Sequence, residues 1–297
     1  YQTASFVNVP LCGAMYGLQR GFGTVFEGQI SQAPVQRLAR RATLFYLGFK
    51  FWEKYQARRF GYKEEDENIA LVRRWVRTRA DTPFFLWFHT YIPHVPYYPP
   101  EYAVDAMGRD VKRGLSMKRF KEINKERLDL PPDRVREIRA AYAAEIYHAD
   151  RVVMRLYHEL EAAGVLDNTV LIITADHGEE IFHRANYIGH GNYVNNPTVQ
   201  VPSILRYPPA APAGARVSQV TSLLDTFPTV LSLFGLKHEG PAHGRSLLPL
   251  ISAQSGADDA PGTAYSEAVA EPGGEHKLSV VRGRHQYLMH LTGPPYQ

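Results

Sequence analysis

Two uninterrupted apolar runs, Phe84-Phe85-Leu86-Trp87-Phe88 and Val170-Leu171-Ile172-Ile173, stand out along the chain, each bounded by turn-forming residues. Runs of that length between breakers predict strands buried on both faces. Each run follows a helical pattern. Before the first, Ile69, Val72, Trp75 and Val76 recur at helical spacing within residues 64–79, and Asp81-Thr82-Pro83 ends the pattern. Before the second, Val135, Ile138, Tyr142, Ile146, Ala149, Val153, Leu156 and Leu160 form one long stripe, with Asp133 placed to cap it and Gly164 to stop it. A helix feeding into an apolar strand is the signature of an α/β sheet. Shorter strands are predicted at 4–9 and 203–206, a helix at 225–234 closed by Gly235, and two last strands at 278–281 and 286–289 about Gly283. Between Glu101 and Asp133 the chain is polar and basic with no apolar stripe, which predicts a surface excursion. After Ile251 the composition turns to Ser, Ala, Gly, Asp and Pro, as in a linker. The predicted organisation is an α/β domain over residues 1–250, a linker over 251–262 and the start of a small C-terminal β subdomain over 263–297.

Composition narrows the function classes without choosing one. Of 297 residues 44% are hydrophobic, which suits a globular core and excludes a disordered or fibrous chain. The 34 Lys and Arg against 30 Asp and Glu leave a formal charge of +4, too mild to argue nucleic-acid binding and compatible with a small anionic substrate. The one cysteine, Cys12, excludes an internal disulfide framework and a Cys-rich zinc site. No run approaches the roughly 20 apolar residues of a membrane span. Tyr1 is not a Met, so the natural N-terminus is expected to lie upstream, and periplasm and cytoplasm both stay open. Oligomeric state is not legible.

In open α/β sheets ligands bind at the carboxyl ends of strands, so polar residues that terminate apolar runs are the candidates. Asp176-His177-Gly178-Glu179 ends the second run and offers a carboxylate oxygen and an imidazole nitrogen to a divalent cation, with a glycine that lets the backbone come close. A solvated turn is the competing reading, and position after a strand favours the metal. His94 lies between two prolines in Pro93-His94-Val95-Pro96-Tyr97, which suits an imidazole whose direction matters. His190, between two glycines, can donate to an oxyanion in the same way. His89 ends the first run and is a weaker substrate-binding candidate, since such a histidine is more often a bonded core residue. His183 has the least claim.

These segments, taken in order, resemble the sulfatases of the alkaline-phosphatase superfamily. The resemblance rests on Pro83 to His89 leading to Pro93-His94-Val95-Pro96-Tyr97, on Ala141-Tyr142 through Asp150, and on Asp167-Asn168-Thr169-Val170 through Asp176-His177-Gly178-Glu179. It continues through His190-Gly191, Val201-Pro202, Asp225 to Thr229 and Gly244-Arg245-Ser246-Leu247, and it begins at Tyr1-Gln2-Thr3-Ala4-Ser5-Phe6 with Gly17 to Phe22. It implies a central mixed sheet flanked by helices, a catalytic α/β domain and hydrolysis of a sulfuric ester. It implies that Asp176 and His177 are one pair of metal ligands, on calcium by preference and on manganese or zinc in a phosphotransferase, and that His94 and His190 bind the sulfate ester. Asp150 and Asp225 would cap or brace helices. In the family a metal-bound formylglycine made from Cys or Ser attacks the sulfur.

The chain departs from the family at its beginning. No Asp-Asp pair ends its first strand, and no Cys- or Ser-x-Pro-x-Arg segment occurs; Cys12 has neither the proline nor the arginine and follows the Tyr-x-Thr-Ala segment. The expectation is therefore a fragment that lacks the nucleophile region and is inactive by itself. Asn195-Asn196 stand where many relatives carry an acidic residue. A phosphoglycerol transferase or phosphodiesterase of the same superfamily, and a non-catalytic anion-binding relative, are the alternatives.

Overall fold

The computed structural model describes residues 1–8, 17–27, 65–108, 111, 114–183, 186–252, 262–269 and 276–291. Cys12 and its neighbours, Lys112 and Arg113 of the basic excursion, and most of the predicted linker, 253–261, lie outside the described residues. The chain divides into two units, one of residues 1–125 and 129–166, the other of residues 126–128 and 167–297.

The first unit is built on three parallel strands, β1 (Gln2–Val7), β2 (Thr24–Glu27) and β3 (Phe84–His89), in the order β2-β1-β3. Val7 pairs with His89, so β1 and β3 finish level and present Asn8, His89 and Thr90 at one edge. Helix α1, residues 65–77, buries Ile69, Val72, Trp75 and Val76 as its spacing requires. The Trp75 indole meets Phe6 and Phe84 edge-on at 6.4 and 5.7 Å. Strand β3 is not buried on both faces: Phe85 is 55% exposed, with Phe22 stacked on one side. A continuous apolar run shows that both faces could be covered, not that both are.

The long stripe becomes α4 (Pro132–Ala162), after two short helices, α2 (Glu101–Ala106) and α3 (Met117–Glu126). Its inner face differs from the predicted one. Ile146 is exposed, whereas Ala140, Ala141, Ala144, Glu145, His148 and Val152 are buried. Small alanines let neighbouring chain approach closely, and two polar residues take the inside because bonds await them there. Asp133 lies inside the first turn without capping it, where its charge suits the helix dipole. Gly164 adopts φ +70 just past the end, as a helix stop requires. Asp150, expected to brace a helix, sits exposed midway along α4, where every backbone amide already has its helical partner. The excursion is helical because each of its short helices needs only one inward residue, Ala103 or Ile123; too few to leave a visible stripe. Tyr97 and Leu115 exchange backbone hydrogen bonds of 3.0 and 2.9 Å, which ties the excursion to the segment after His94.

In the second unit β4 (Leu171–Thr174) pairs antiparallel with β7 (Ser203–Arg206), and β5 (Glu180–Ile181) with β6 (Ile188–Gly189). Strand β4 is half-exposed rather than doubly buried. Helix α5 (Thr226–Leu233) is braced as the resemblance implies: the buried Asp225 accepts backbone N–H bonds from Ser222 and Arg245, each 2.8 Å. Strands β8 (Thr263–Val269), β9 (His276–Arg282) and β10 (His285–Leu291) form an antiparallel sheet. Parallel strands with helices and an antiparallel C-terminal piece meet the α/β expectation. Among the described residues no helix is long and apolar enough to cross a membrane.

Candidate active site

Asp176 and His177 leave β4 directly, so their side chains are set by a backbone that the strand pairing holds. Asp176 Oδ1 accepts from the His177 backbone N–H at 3.0 Å. The His177 Nδ1 lies 2.8 Å from the Gly178 carbonyl, which can only accept, so Nδ1 carries a proton, and in the neutral ring Nε2 bears the lone pair. That Nε2 is 3.6 Å from Asp176 Oδ2. In each side chain the atom facing the other is set by a bond made on the far side of its group, an arrangement of the kind that orients metal ligands. Gly178 is required here by space, not by φ: a Cβ would stand 2.2 Å from the Pro197 carbonyl oxygen, while the Gly178 N–H donates to Thr198 at 2.8 Å.

His190 follows β6, and the β5–β6 register, Glu180 opposite Gly189, brings Glu179 against it. Its Nδ1 donates to Glu179 Oε1 at 3.1 Å, and Glu179 is buried. The His190 ring stacks on His177 with centroids 3.8 Å apart. Beneath them the fully buried Glu180 accepts from Asn195 Nδ2 at 2.6 Å and from the His183 backbone N–H. Asn195 therefore faces inward and braces β5. His183 turns toward Glu180 of its own hairpin and does not join the pair. The Tyr187 hydroxyl donates to the His190 carbonyl and accepts from Asn192, both at 3.0 Å; burial raises its pKa above the usual phenol range, so it stays a donor.

The first unit holds the other two histidines. His94 lies in a turn in which its N–H donates to the Tyr91 carbonyl; its Nδ1 donates to the Val95 carbonyl at 2.6 Å, and its ring stacks on Tyr91 at 4.1 Å. The loop is anchored from α4 by Glu145, whose Oε1 accepts from the Tyr98 N–H at 2.7 Å. Burial pushes the Glu145 carboxyl up to about 7, against the opposing pull of that hydrogen bond. His89 ends β3 half-buried. Beside it the fully buried Glu65 accepts from Asn8 Nδ2 at 2.6 Å and Thr90 Oγ1 at 2.5 Å, stitching the ends of β1 and β3. Sequence reasoning gave no role to Glu65, Glu145, Glu179 or Tyr187. The adjacent pair Glu179-Glu180 before an apolar Ile181 was the available signal, since two carboxylates entering a strand need partners.

Among the described residues no group of three or more His, Cys, Asp and Glu gathers as a metal cluster. Asp176 and His177 supply two donors, one oxygen and one nitrogen. Bonds of about 2.0 to 2.6 Å to one cation place two ligand atoms at most about 5 Å apart, and the observed 3.6 Å separation fits within that. The pair suits half of a divalent site.

The chain belongs to the sulfatase family, whose model matches residues 10–236. It is 24% identical over 223 residues to arylsulfatase K of Xenopus laevis, a match that covers 66% of this chain and 41% of that protein. The chain therefore spans about two fifths of that relative's length. Among solved structures it resembles a phosphonate monoester hydrolase from Silicibacter pomeroyi, with a TM-score of 0.63, 18% identity, and coverage of 98% of this chain and 71% of the other. It also resembles a protein solved with its substrate D-glucosamine-2-N,6-O-disulfate, with a TM-score of 0.58, 17% identity, and coverage of 75% and 60%. At these identities the structures establish the shared fold. Members of the family work with a divalent metal ion.

Proposed function

We propose that this chain carries the metal-and-histidine part of an enzyme that hydrolyses sulfuric esters. The observation that supports it most is the Asp176–His177 pair, both ligand atoms oriented from behind, with the His190 ring stacked on His177 and held by buried Glu179. Membership of the sulfatase family and the likeness to arylsulfatase K agree with it. A divalent cation held by Asp176 and His177 would supply positive charge against the sulfuryl oxygens. Glu179 keeps His190 in one direction, and Tyr187 and Asn192 fix the backbone that carries it; with both ring nitrogens protonated, the Nε2–H would meet an ester oxygen as a donor that needs no rearrangement. The resemblance assigns His94 to ester binding; His89 is proposed as a weaker substrate-binding residue because it ends β3, and the limits 1–250, 251–262 and 263–297 are proposed from the shift in composition after Ile251. Calcium is the ion that the resemblance favours.

The test is sulfate release from an aryl sulfate by the full-length protein, against release from the matching aryl phosphonate, before and after metal removal. The reading expects preferred sulfate release, lost on chelation and restored by calcium. Cleavage of the phosphonate alone would move the protein to the phosphoryl-transfer side of the superfamily. No cleavage of either would favour a binding relative.

A further inference from the structure

Residues 126–128, at the end of α3, group with the second unit, where Arg127 makes two contacts. Its backbone is left-handed, φ +51, at the first position after α3, where helices commonly end in that conformation. Two contacts hold the residue there. Asn186 Nδ2 donates to the Arg127 carbonyl at 3.2 Å, and the guanidinium lies over the Tyr187 ring, 5.2 Å from its centroid. Tyr187 is the residue whose hydroxyl holds the His190 carbonyl. An arginine from a remote segment is thereby fixed one tyrosine away from the loop that carries a proposed ester-binding histidine. Its head is exposed, and among the described residues it makes no ion pair. A guanidinium held on a ring, with its carbonyl bonded to the same segment and no ion pair among the described residues, is unlike a freely solvated surface arginine.

We propose that Arg127 is a specificity residue that grips a second anionic group, a carboxylate or a further sulfate, on a substrate whose scissile sulfate ester is held at the Asp176, His177 and His190 site. The inference rests on the sulfatase reading of that site. A planar guanidinium binds such oxyanions through paired N–H donors, which lysine cannot reproduce. The second group takes no part in bond cleavage, so a contact made equally in the ground and transition states is read as a raised KM with kcat kept.

The test compares Arg127→Gln and Arg127→Lys with the parent in the full-length protein, on D-glucosamine-2-N,6-O-disulfate and on an aryl sulfate with no second charge. Arg127→Gln is expected to lower kcat/KM for the disulfate by about tenfold to a hundredfold, chiefly through KM, and to leave the aryl sulfate within about twofold. Arg127→Lys is expected to recover only part, at low salt. Equal losses on both substrates would make Arg127 a structural prop of Tyr187, and no loss on either would make it surface; each overturns the proposal. If the parent cleaves no sulfate ester, the functional reading fails by itself, and calorimetric binding of the disulfate against glucosamine 6-sulfate decides Arg127. A selective loss of disulfate affinity in Arg127→Gln then supports it, and unchanged selectivity overturns it.

Discussion

Replacing Glu145 by Gln asks how α4 holds the loop that carries His94. The carboxyl is 4% exposed and its oxygen accepts the Tyr98 N–H, so the glutamine carbonyl can keep that bond while removing a buried charge. Burial raises the native pKa from 4.5 to about 7, so between these values the native state binds the proton that the unfolded state has released. The stability this group contributes is therefore complete below about pH 4.5 and is lost as pH rises through about 7. The rise from 4.5 to about 7 corresponds to about 3 kcal/mol between the two limits. Urea unfolding of parent and Glu145→Gln at about pH 5 and about pH 8 separates this group from all others, because their titrations cancel in the difference. The variant should gain about 2 to 3 kcal/mol on the parent between the two pH values. Parallel pH profiles for the two proteins would refute the claim that Glu145 is held against its charge. Glu145→Ala, which leaves the Tyr98 N–H without this acceptor, should be less stable than the glutamine variant at both pH values.

Gly178→Ala places a Cβ 2.2 Å from the Pro197 oxygen and should cost about 1 to 3 kcal/mol on thermal or urea unfolding, with weaker divalent-metal binding because His177 is adjacent; an unchanged melting profile would refute the requirement for glycine at this approach. Asn195→Asp sets a carboxylate against buried Glu180 and should destabilise by more than about 2 kcal/mol, while an equally stable variant would remove Asn195 from the brace under β5. Glu179→Ala frees the His190 ring, so kcat for sulfate ester hydrolysis should fall about tenfold to a hundredfold with the melting temperature little changed; an unaltered kcat would leave His190 without a role.

The elements with strong periodicity were legible: α1 through Ile69, Val72, Trp75 and Val76, β7 over Ser203–Arg206, and the hairpin about Gly283. The candidate residues lie at strand ends as expected, Asp176 and His177 just after β4 and His89 at the end of β3. What pattern reasoning could not see was the inner face of α4, where Glu145 and His148 are buried and Ile146 is not. A polar residue goes inside only when a partner waits there, and Tyr98 lies 47 positions away in sequence. The same limit hid β5 and β6, two residues each, whose pairing sets Glu179 against His190. Strand β8 was missed because its alternation, Ala264, Ser266 and Ala268 inward, is carried by small side chains. Where the resemblance led to an acidic residue, Asn195 instead donates its amide to Glu180.

The pair at the end of β4 is the centre of the account, and its most direct test is metal titration coupled to turnover. The full-length protein, stripped of metal and titrated with calcium, manganese and zinc, should bind a divalent ion and regain aryl sulfate hydrolysis in step with occupancy. Asp176→Ala and His177→Ala should each lose metal affinity by at least about tenfold and lose hydrolysis by more than about a hundredfold, while unfolding cooperatively like the parent. An Asp176→Ala protein that keeps both its metal and its sulfatase turnover would contradict the assignment.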